Sequence, residues 1–244
     1  MLMTAFQTAE LYELLGNRGG RLDREGPFLL EALAAAPEKK VADLACGLGL
    51  HAEFFAAHGA EVHAFDLSPE MIAHAGRYRS RTNIAYGVGD MCAPAGGPYG
   101  LVVCLGNSLC LLEDGRQIER FFQHVYDVLL PGGILITQTL NYQAEAMKQP
   151  RVRMERTVLP NGEVAAVKRF SPTADRTELV INYLMVTYAG MNETRESFVL
   201  RHWDAEYLRS TAASAGFTVA GCYGSYAKAP LERDSADILI SFRK

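Results

Sequence analysis

The chain is 244 residues long, 49% hydrophobic and 21% charged, enough to bury the core of one globular, enzyme-sized domain. Its formal net charge of −4 gives no broad attraction for nucleic acid or an anionic membrane, so neither is expected as a partner. The first residues, Met1-Leu2-Met3-Thr4-Ala5-Phe6, meet Glu10 without a basic stretch leading into a long apolar one, which predicts neither a signal peptide nor a membrane span, and a cytoplasmic location.

Val41 to Ala45 is a short, mostly apolar run bounded by turn formers, as a buried parallel strand should be. Gly47 and Gly49 follow, then a helix over Leu50–His58 that places Leu50, Phe54 and Ala57 on one face, with Gly59 as its stop. A second strand begins at Val62 and ends in Asp66, and Ser68 and Pro69 read as the N-cap and first position of the next helix. Arg77, Arg79 and Arg81 cluster near the end of that helix, where cations complement the macrodipole on a solvated face. Ile84–Val88 predicts a third strand, Leu101–Leu105 a fourth and Ile134–Leu140 a fifth. Between the last two, Ile118, Phe121, Phe122, Val125, Val128 and Leu129 recur at helical spacing until Pro131-Gly132-Gly133 breaks the helix.

After residue 150 the rhythm changes. Arg151–Val158, Val164–Phe170, Glu178–Tyr188 and Glu196–Trp203 read as four strands without intervening helices, the first turn being Asn161-Gly162. Asp204–Ala215 is the next helix, capped by Asp204 and stopped at Gly216, and Thr218–Tyr223 and Ala236–Phe242 finish the main sheet. The expected architecture is a doubly wound, mostly parallel α/β core over 1–150 and 204–244, with an antiparallel β insertion over 151–203 lying as a lid above a ligand site. The five cysteines, at 46, 92, 104, 110 and 222, show no metal-type spacing, so reduced thiols and no metal are expected.

The strand, glycine turn and helix from Val41 onward describe a nucleotide-type site, because glycines can take backbone angles closed to other residues and let a ligand approach the main chain. Gly47-x-Gly49-x-x-Ala52 also fits the loose dinucleotide fingerprint, which leaves a nicotinamide-dependent oxidoreductase as an alternative. Asp43 inside the strand, Ala45-Cys46-Gly47 at its end and Asp66 closing the neighbouring strand shift the weight, since an acid at a strand's carboxyl end can accept both hydroxyls of a ribose.

At these residues the chain resembles the class I S-adenosylmethionine-dependent methyltransferases. The matching pieces, in the family's order, are DLACGLG at 43–49, FDLSPEM at 65–71, GDM at 89–91, VVCLGNS at 102–108 and LLPGGIL at 129–135. Within the family, VCLGNS followed by Asn141-Tyr142 looks most like glycine N-methyltransferase, while the HAEFF and GDM segments are similar to sugar N-methyltransferases. The resemblance implies a Rossmann-like seven-stranded sheet, S-adenosylmethionine as cofactor, S-adenosylhomocysteine as product, and in-line transfer of a methyl group to a small-molecule acceptor, an amine nitrogen before oxygen or carbon. A cofactor-binding regulatory protein without turnover is the alternative from another class.

Carried over residue by residue, the resemblance implies that Ala45, Gly47 and Gly49 pass the cofactor's amino-acid portion along their backbone and that Asp66 binds its ribose. Leu67 and Met71 would pack the adenine, Asp90 would accept from its exocyclic amine beside the backbone of Met91, and the Leu105 carbonyl would touch the methionine end. GNRGGRLDREGPFLL at 16–30 resembles the family's amino-terminal segment, so Arg21 falls where an arginine holds the cofactor carboxylate and Tyr12 is a candidate to close the pocket. Met71 has the alternative of a core residue and Asp90 that of a turn former.

For the acceptor, Asn107 after strand four is the leading candidate, its alternative being a turn or cap; Tyr142, Arg201 and His202 are candidates to line the pocket from other sides. No catalytic base is named, because His202 beside Trp203 also reads as a packed strand end. Leu48 stands where the family usually has threonine, Leu140 where glycine N-methyltransferase has the arginine that pairs with the substrate carboxylate, and Leu111 where it has a histidine. A leucine offers no charge-assisted bond, so glycine is disfavoured as acceptor unless the insertion supplies another arginine. Leu105-Gly106-Asn107-Ser108 also lacks the acid-Pro-Pro-aromatic motif of DNA amino-methyltransferases.

Overall fold

In the computed structural model, which describes residues 8–15, 20–188 and 190–244, strands and helices alternate through the first part of the chain. Helices α1 (Thr8–Leu15) and α2 (Arg21–Ala35) precede β1 (Lys40–Leu44), α3 (Leu50–Ala57), β2 (Glu61–Asp66), α4 (Pro69–Tyr78), β3 (Ile84–Val88), β4 (Tyr99–Cys104), α5 (Gly115–Val128) and β5 (Leu129–Leu140). Four strands follow without a helix, β6 (Arg151–Leu159), β7 (Gly162–Pro172), β8 (Arg176–Thr187) and β9 (Gly190–Arg201), and the chain closes with α6 (Ala205–Ser214), β10 (Thr218–Tyr223) and β11 (Asp237–Arg243). Residues 16–19 of the amino-terminal segment that carried part of the resemblance lie outside the described residues.

The main sheet has seven strands in the order β10-β11-β5-β4-β1-β2-β3, and β11 runs antiparallel to both of its neighbours. Its central strands are apolar along their length because both faces are covered. On one face Ala42, Leu44, Val102, Cys104 and Leu135 pack with Phe121 and Phe122 of α5 and Leu208 of α6. On the other, Val41, Val62, Leu101, Val103 and Ile136 pack with Phe28 and Leu29 of α2 and Phe55 of α3. The chain leaves β1 toward β2 and later crosses back to place β4 on the other side of β1, so strand order reverses between β1 and β4. A crevice opens outside the carboxyl ends of the strands at such a reversal, which fixes where a ligand site belongs before any side chain is considered.

The helix starts follow local chemistry. Ser68 accepts from the backbone N–H of Met71 with Pro69 in the first turn, Asp114 and Gln117 form a reciprocal capping box, and Asp204 accepts from the N–H of Tyr207. The second sheet orders its strands β6-β7-β8-β9, all antiparallel. Leu11 and Leu15 of α1 pack on its Val164, Ala166, Ile181, Tyr183 and Met185.

Several expectations need correction. The buried face of α3 is His51, Ala52, Phe55 and Ala56, not Leu50, Phe54 and Ala57, because the helix turns Phe54 toward α2, where a Cβ on Gly26 would stand 3.2 Å from its ring. Helix α5 ends at Val128 and β5 begins at Leu129, so Pro131-Gly132-Gly133 lies within a strand that pairs with the carboxyl terminus through Gly132 and Gly133. Leu159 pairs with Gly162, which makes Pro160-Asn161 the hairpin turn, one residue earlier than expected.

Arg79 is not on a solvated face. It is buried, donating to the Leu48 carbonyl at 3.2 Å and pairing with Glu13 at 2.9 Å, and it ties α1 to the glycine turn. Helices α1 and α2 were not anticipated at all.

Candidate functional site

Between β1 and α3 the backbone turns through three left-handed residues, Ala45 at φ 55°, Gly47 at 53° and Gly49 at 77°. Ala45 holds that conformation with a Cβ, at a cost of about 1–2 kcal/mol, so the surrounding structure over-determines the turn. Gly49 has no room for a side chain, since a Cβ would stand 2.6 Å from the Tyr86 hydroxyl. A Cβ on Gly47 would meet nothing within 4 Å, so the turn presents open space at that residue.

Asp66 closes β2 directly beside this turn. Its Oδ2 accepts from the Gly47 N–H at 2.8 Å and its Oδ1 from the Ser68 N–H at 2.9 Å, so one carboxylate locks the glycine turn to the start of α4. Each oxygen keeps a lone pair for a further donor. Leu67 beside it is 66% exposed, a large apolar side chain left uncovered, and Met71 is half-buried one turn into α4.

Under the turn, Asp43 is 1% exposed and its Oδ2 has no hydrogen-bond partner. Burial pushes its pKa up to about 6, against the pull of His51. His51 Nε2 lies 2.6 Å from Glu25 Oε2, and the other oxygen of Glu25 takes the Arg21 Nε–H at 2.8 Å. Burial pushes the Glu25 carboxyl up, but His51 and Arg21 outweigh it and hold it below the usual range. Arg21 is thus aimed by a buried acid and base, with a Nη2 that would stand 3.4 Å from a Cβ on Gly106 past the end of β4.

The structure brings Arg21, Ala45, Gly47, Gly49, Asp66 and Leu105 to the carboxyl ends of β1, β2 and β4, with Leu67 and Met71 at the head of α4. Asp90 is exposed and its Oδ1 takes the Cys92 N–H at 2.8 Å, so it forms the turn named as its alternative while leaving its other oxygen free of that bond. The Met91 side chain is buried in the core, 3.9 Å from Cys104 Sγ. The Leu105 carbonyl accepts from Ser108 Oγ at 2.9 Å. Tyr12, on α1, stands with its ring 6.2 Å from that of Tyr183 on the second sheet.

Among the residues expected to meet an acceptor, Asn107 spends its amide on structure. Its Oδ1 accepts from the Leu140 N–H at 2.9 Å and its Nδ2 donates to the Tyr142 hydroxyl at 2.8 Å, bracing the end of β4 against the end of β5. The buried Tyr142 ring stacks on His202 at 4.2 Å and 12°, and His202 Nε2 lies 2.8 Å from Thr177 Oγ1. Burial pushes the Tyr142 phenol up and the His202 imidazole down, so both are neutral near pH 7. Arg201, at the end of β9, pairs with Asp175 at 2.6 Å and lies 5.8 Å from the centre of the Trp203 ring, and its Nε is buried without a hydrogen-bond partner.

Sequence reasoning missed Glu25 and His51, which are 26 residues apart and meet only through packing. It also missed the face of the second sheet turned to the core domain. There Tyr183 donates to Glu196 Oε2 at 3.1 Å, and burial together with Glu70 raises the Glu196 carboxyl against that bond. The alternation of polar residues in Arg151-Val152-Arg153-Met154-Glu155 was the available signal. A separate cavity of about 380 Å³, lined by Glu10, Glu13, Leu14, Glu53, His74, Tyr78 and Arg79, contains none of the strand-end residues. Among the described residues no cluster of His, Cys, Asp or Glu is placed to hold a metal, and no described helix is long and apolar enough to cross a membrane.

Residues 41–133 match a family described as a methyltransferase domain. Over 155 residues the chain is 28% identical to a glycine N-methyltransferase of Oryctolagus cuniculus, covering 56% of this chain and 52% of the relative. Over 115 residues it is 33% identical to a ubiquinone biosynthesis O-methyltransferase of Xanthomonas campestris, covering 45% and 46%. The chain therefore spans about half the length of the curated relatives it matches. The fold is similar to that of the sugar N-methyltransferase KedS8 from Streptoalloteichus, with a TM-score of 0.80 at 19% identity over 98% of this chain and 95% of that one.

Proposed function

We propose that this chain, whose core is a class I S-adenosylmethionine-dependent methyltransferase domain, methylates the amine nitrogen of a small molecule. One observation carries the reading: Asp66 bonds the N–H groups of Gly47 and Ser68 at the strand-order reversal, beside open space at Gly47 and above a buried, unpartnered Asp43 oxygen. These residues fit an amino-acid nucleoside. When bound, S-adenosylmethionine would supply an electrophilic methyl carbon on sulfur; the acceptor nitrogen's electron pair would form the new C–N bond as the C–S pair leaves with sulfur as a thioether, and the nitrogen's proton would pass to solvent.

The protein's part is positioning, which can supply roughly 7–11 kcal/mol of barrier reduction. Asp66 would hold the ribose, Arg21 the carboxylate with Glu25 and His51 behind it, Leu67 and Met71 the adenine, and Asp90 with the Met91 backbone its amine. Tyr12 would close the pocket from α1. The acceptor would lie beside Asn107, Tyr142 and His202, with the β6–β9 sheet as its lid. No base is assigned, because an amine that arrives unprotonated needs none.

The relatives named for amine methylation favour nitrogen over the oxygen named for the ubiquinone enzyme. All five cysteines are free thiols, as a reducing cytoplasm keeps them. Titrating the protein with S-adenosylhomocysteine and with NADH tests the cofactor. Saturable binding of the first alone is expected, and preference for NADH would overturn the reading in favour of the oxidoreductase. Methyl transfer to a panel of amines and hydroxyls then tests nitrogen; tight cofactor binding with no turnover across the panel would favour a regulatory protein.

A further inference from the structure

We propose that Arg151 anchors an anionic group of the acceptor, a carboxylate or a phosphate, a reading that rests on the methyl-transfer function above. In the second sheet Arg151 pairs with Phe170, Phe170 with Leu179 and Leu179 with Phe198, so these four side chains share one face. Leu179 and Phe198 pack with Leu140, Tyr142 and Leu200, which turns that face toward the acceptor end of the main sheet. Helix α1 covers the far end of the same face, through Val164, Ala166 and Met185. The row of Arg151 and the adjacent row of Arg153 lie toward the end that α1 leaves.

The Arg151 guanidinium lies 4.3 Å from the centre of the Phe170 ring, and one Nη donates to the Met147 carbonyl at 3.3 Å. Its Nε is buried with no hydrogen-bond partner. Arg153 points to the same ring at 6.0 Å. Among the described residues no carboxylate pairs with either arginine, whereas Lys168, across from Arg153, is neutralised by Glu155 at 2.7 Å. A buried, unmatched guanidinium N–H is costly and calls for a partner.

The neighbouring Arg153 cation raises that cost. Tyr142 and His202, the polar neighbours on the core side, are neutral and supply no counter-charge. A carboxylate or phosphate carried by the acceptor satisfies the free N–H, balances the charge and matches the planar fork. The amine would then face the cofactor while the anion is held by the insertion, which also gives the β6–β9 sheet a part in choosing the substrate.

The test titrates the full chain, saturated with S-adenosylhomocysteine, calorimetrically with ethanolamine, O-phosphoethanolamine and β-alanine, which share an amine and differ in the anion. At least one anionic amine is expected to bind saturably and about tenfold or more tighter than ethanolamine, the size of one charge-assisted hydrogen bond. The tighter of the two identifies phosphate or carboxylate. Arg151→Leu should bring the three probes to within about twofold of one another, and Arg151→Lys, which keeps charge but loses the fork, should fall between.

Equal binding of ethanolamine by the wild type, no saturable binding of any probe, or an anion preference that survives Arg151→Leu would each overturn the proposal. The wild-type comparison decides even if a variant fails to fold. Should the protein bind no S-adenosylhomocysteine, the methyl-transfer reading fails, and the same titration on free protein still reads the anion preference.

Discussion

Replacing Asp66 by Asn probes the junction on which the site is built. The carboxylate takes the Gly47 N–H on one oxygen and the Ser68 N–H on the other. An amide keeps one acceptor and turns an NH2 toward the second donor, so one of two short bonds becomes a donor facing a donor. Hydrogen bonds to a charged acceptor are worth about 1.5–3 kcal/mol, and Asp66 is half-buried, so the lower end applies: about 1–2 kcal/mol of stability lost. In the complex the ribose hydroxyls lose part of a charged acceptor as well, a further about 1.5–3 kcal/mol, or roughly 10- to 150-fold in affinity. Calorimetric titration with S-adenosylhomocysteine reads the second quantity, and denaturant unfolding of the free protein reads the first. A folded Asp66→Asn variant that binds S-adenosylhomocysteine within twofold of wild type would refute the assignment.

Gly49→Ala should destabilise the protein by about 1–3 kcal/mol, since its Cβ meets the Tyr86 ring at a left-handed φ. Tyr86→Phe in the same chain should recover only the part due to the hydroxyl, which denaturant titration of the single and double variants separates. The folded-state pKa of Asp43 is raised from 3.8 to about 6, so its contribution is fully present below pH 3.8 and is lost as pH rises through about 6. Asp43→Asn should therefore gain stability relative to wild type as pH rises through that window and hold a constant difference above pH 7; a difference that is flat with pH from 4 to 7 would contradict the buried carboxyl. Tyr142→Phe removes the hydroxyl that takes the Asn107 Nδ2–H but leaves the stack on His202. It should raise the acceptor KM several-fold and leave S-adenosylhomocysteine affinity unchanged; a loss of cofactor affinity instead would place Tyr142 on the other side of the pocket.

Much of the core was legible because its signals are local. The apolar run to Leu44 is buried on both faces, Asp66 falls at the end of its strand, and Ser68 and Asp204 begin their helices with caps that need only the next few residues. The buried face of α3 was misread because its amphipathic signal is weak and a second partner, α2, claims Phe54. Arg79 was misread because a charge near a helix end looks solvated until α1 folds over it and supplies Glu13.

The chain alone determined the order of elements from β1 onward, the glycine turn and the acid that faces it, because backbone propensity, capping and short-range spacing are written in neighbouring residues. Tertiary structure decided which distant groups meet: Glu25 with His51 behind Arg21, Asn107 with Tyr142, and Arg151 on the face that Leu179 and Phe198 turn toward Tyr142. The reason is physical. Helix docking, strand order and sheet register bring these distant side chains together from 26 to over 50 residues apart, and no local pattern specifies which element lies beside which or which face is turned inward.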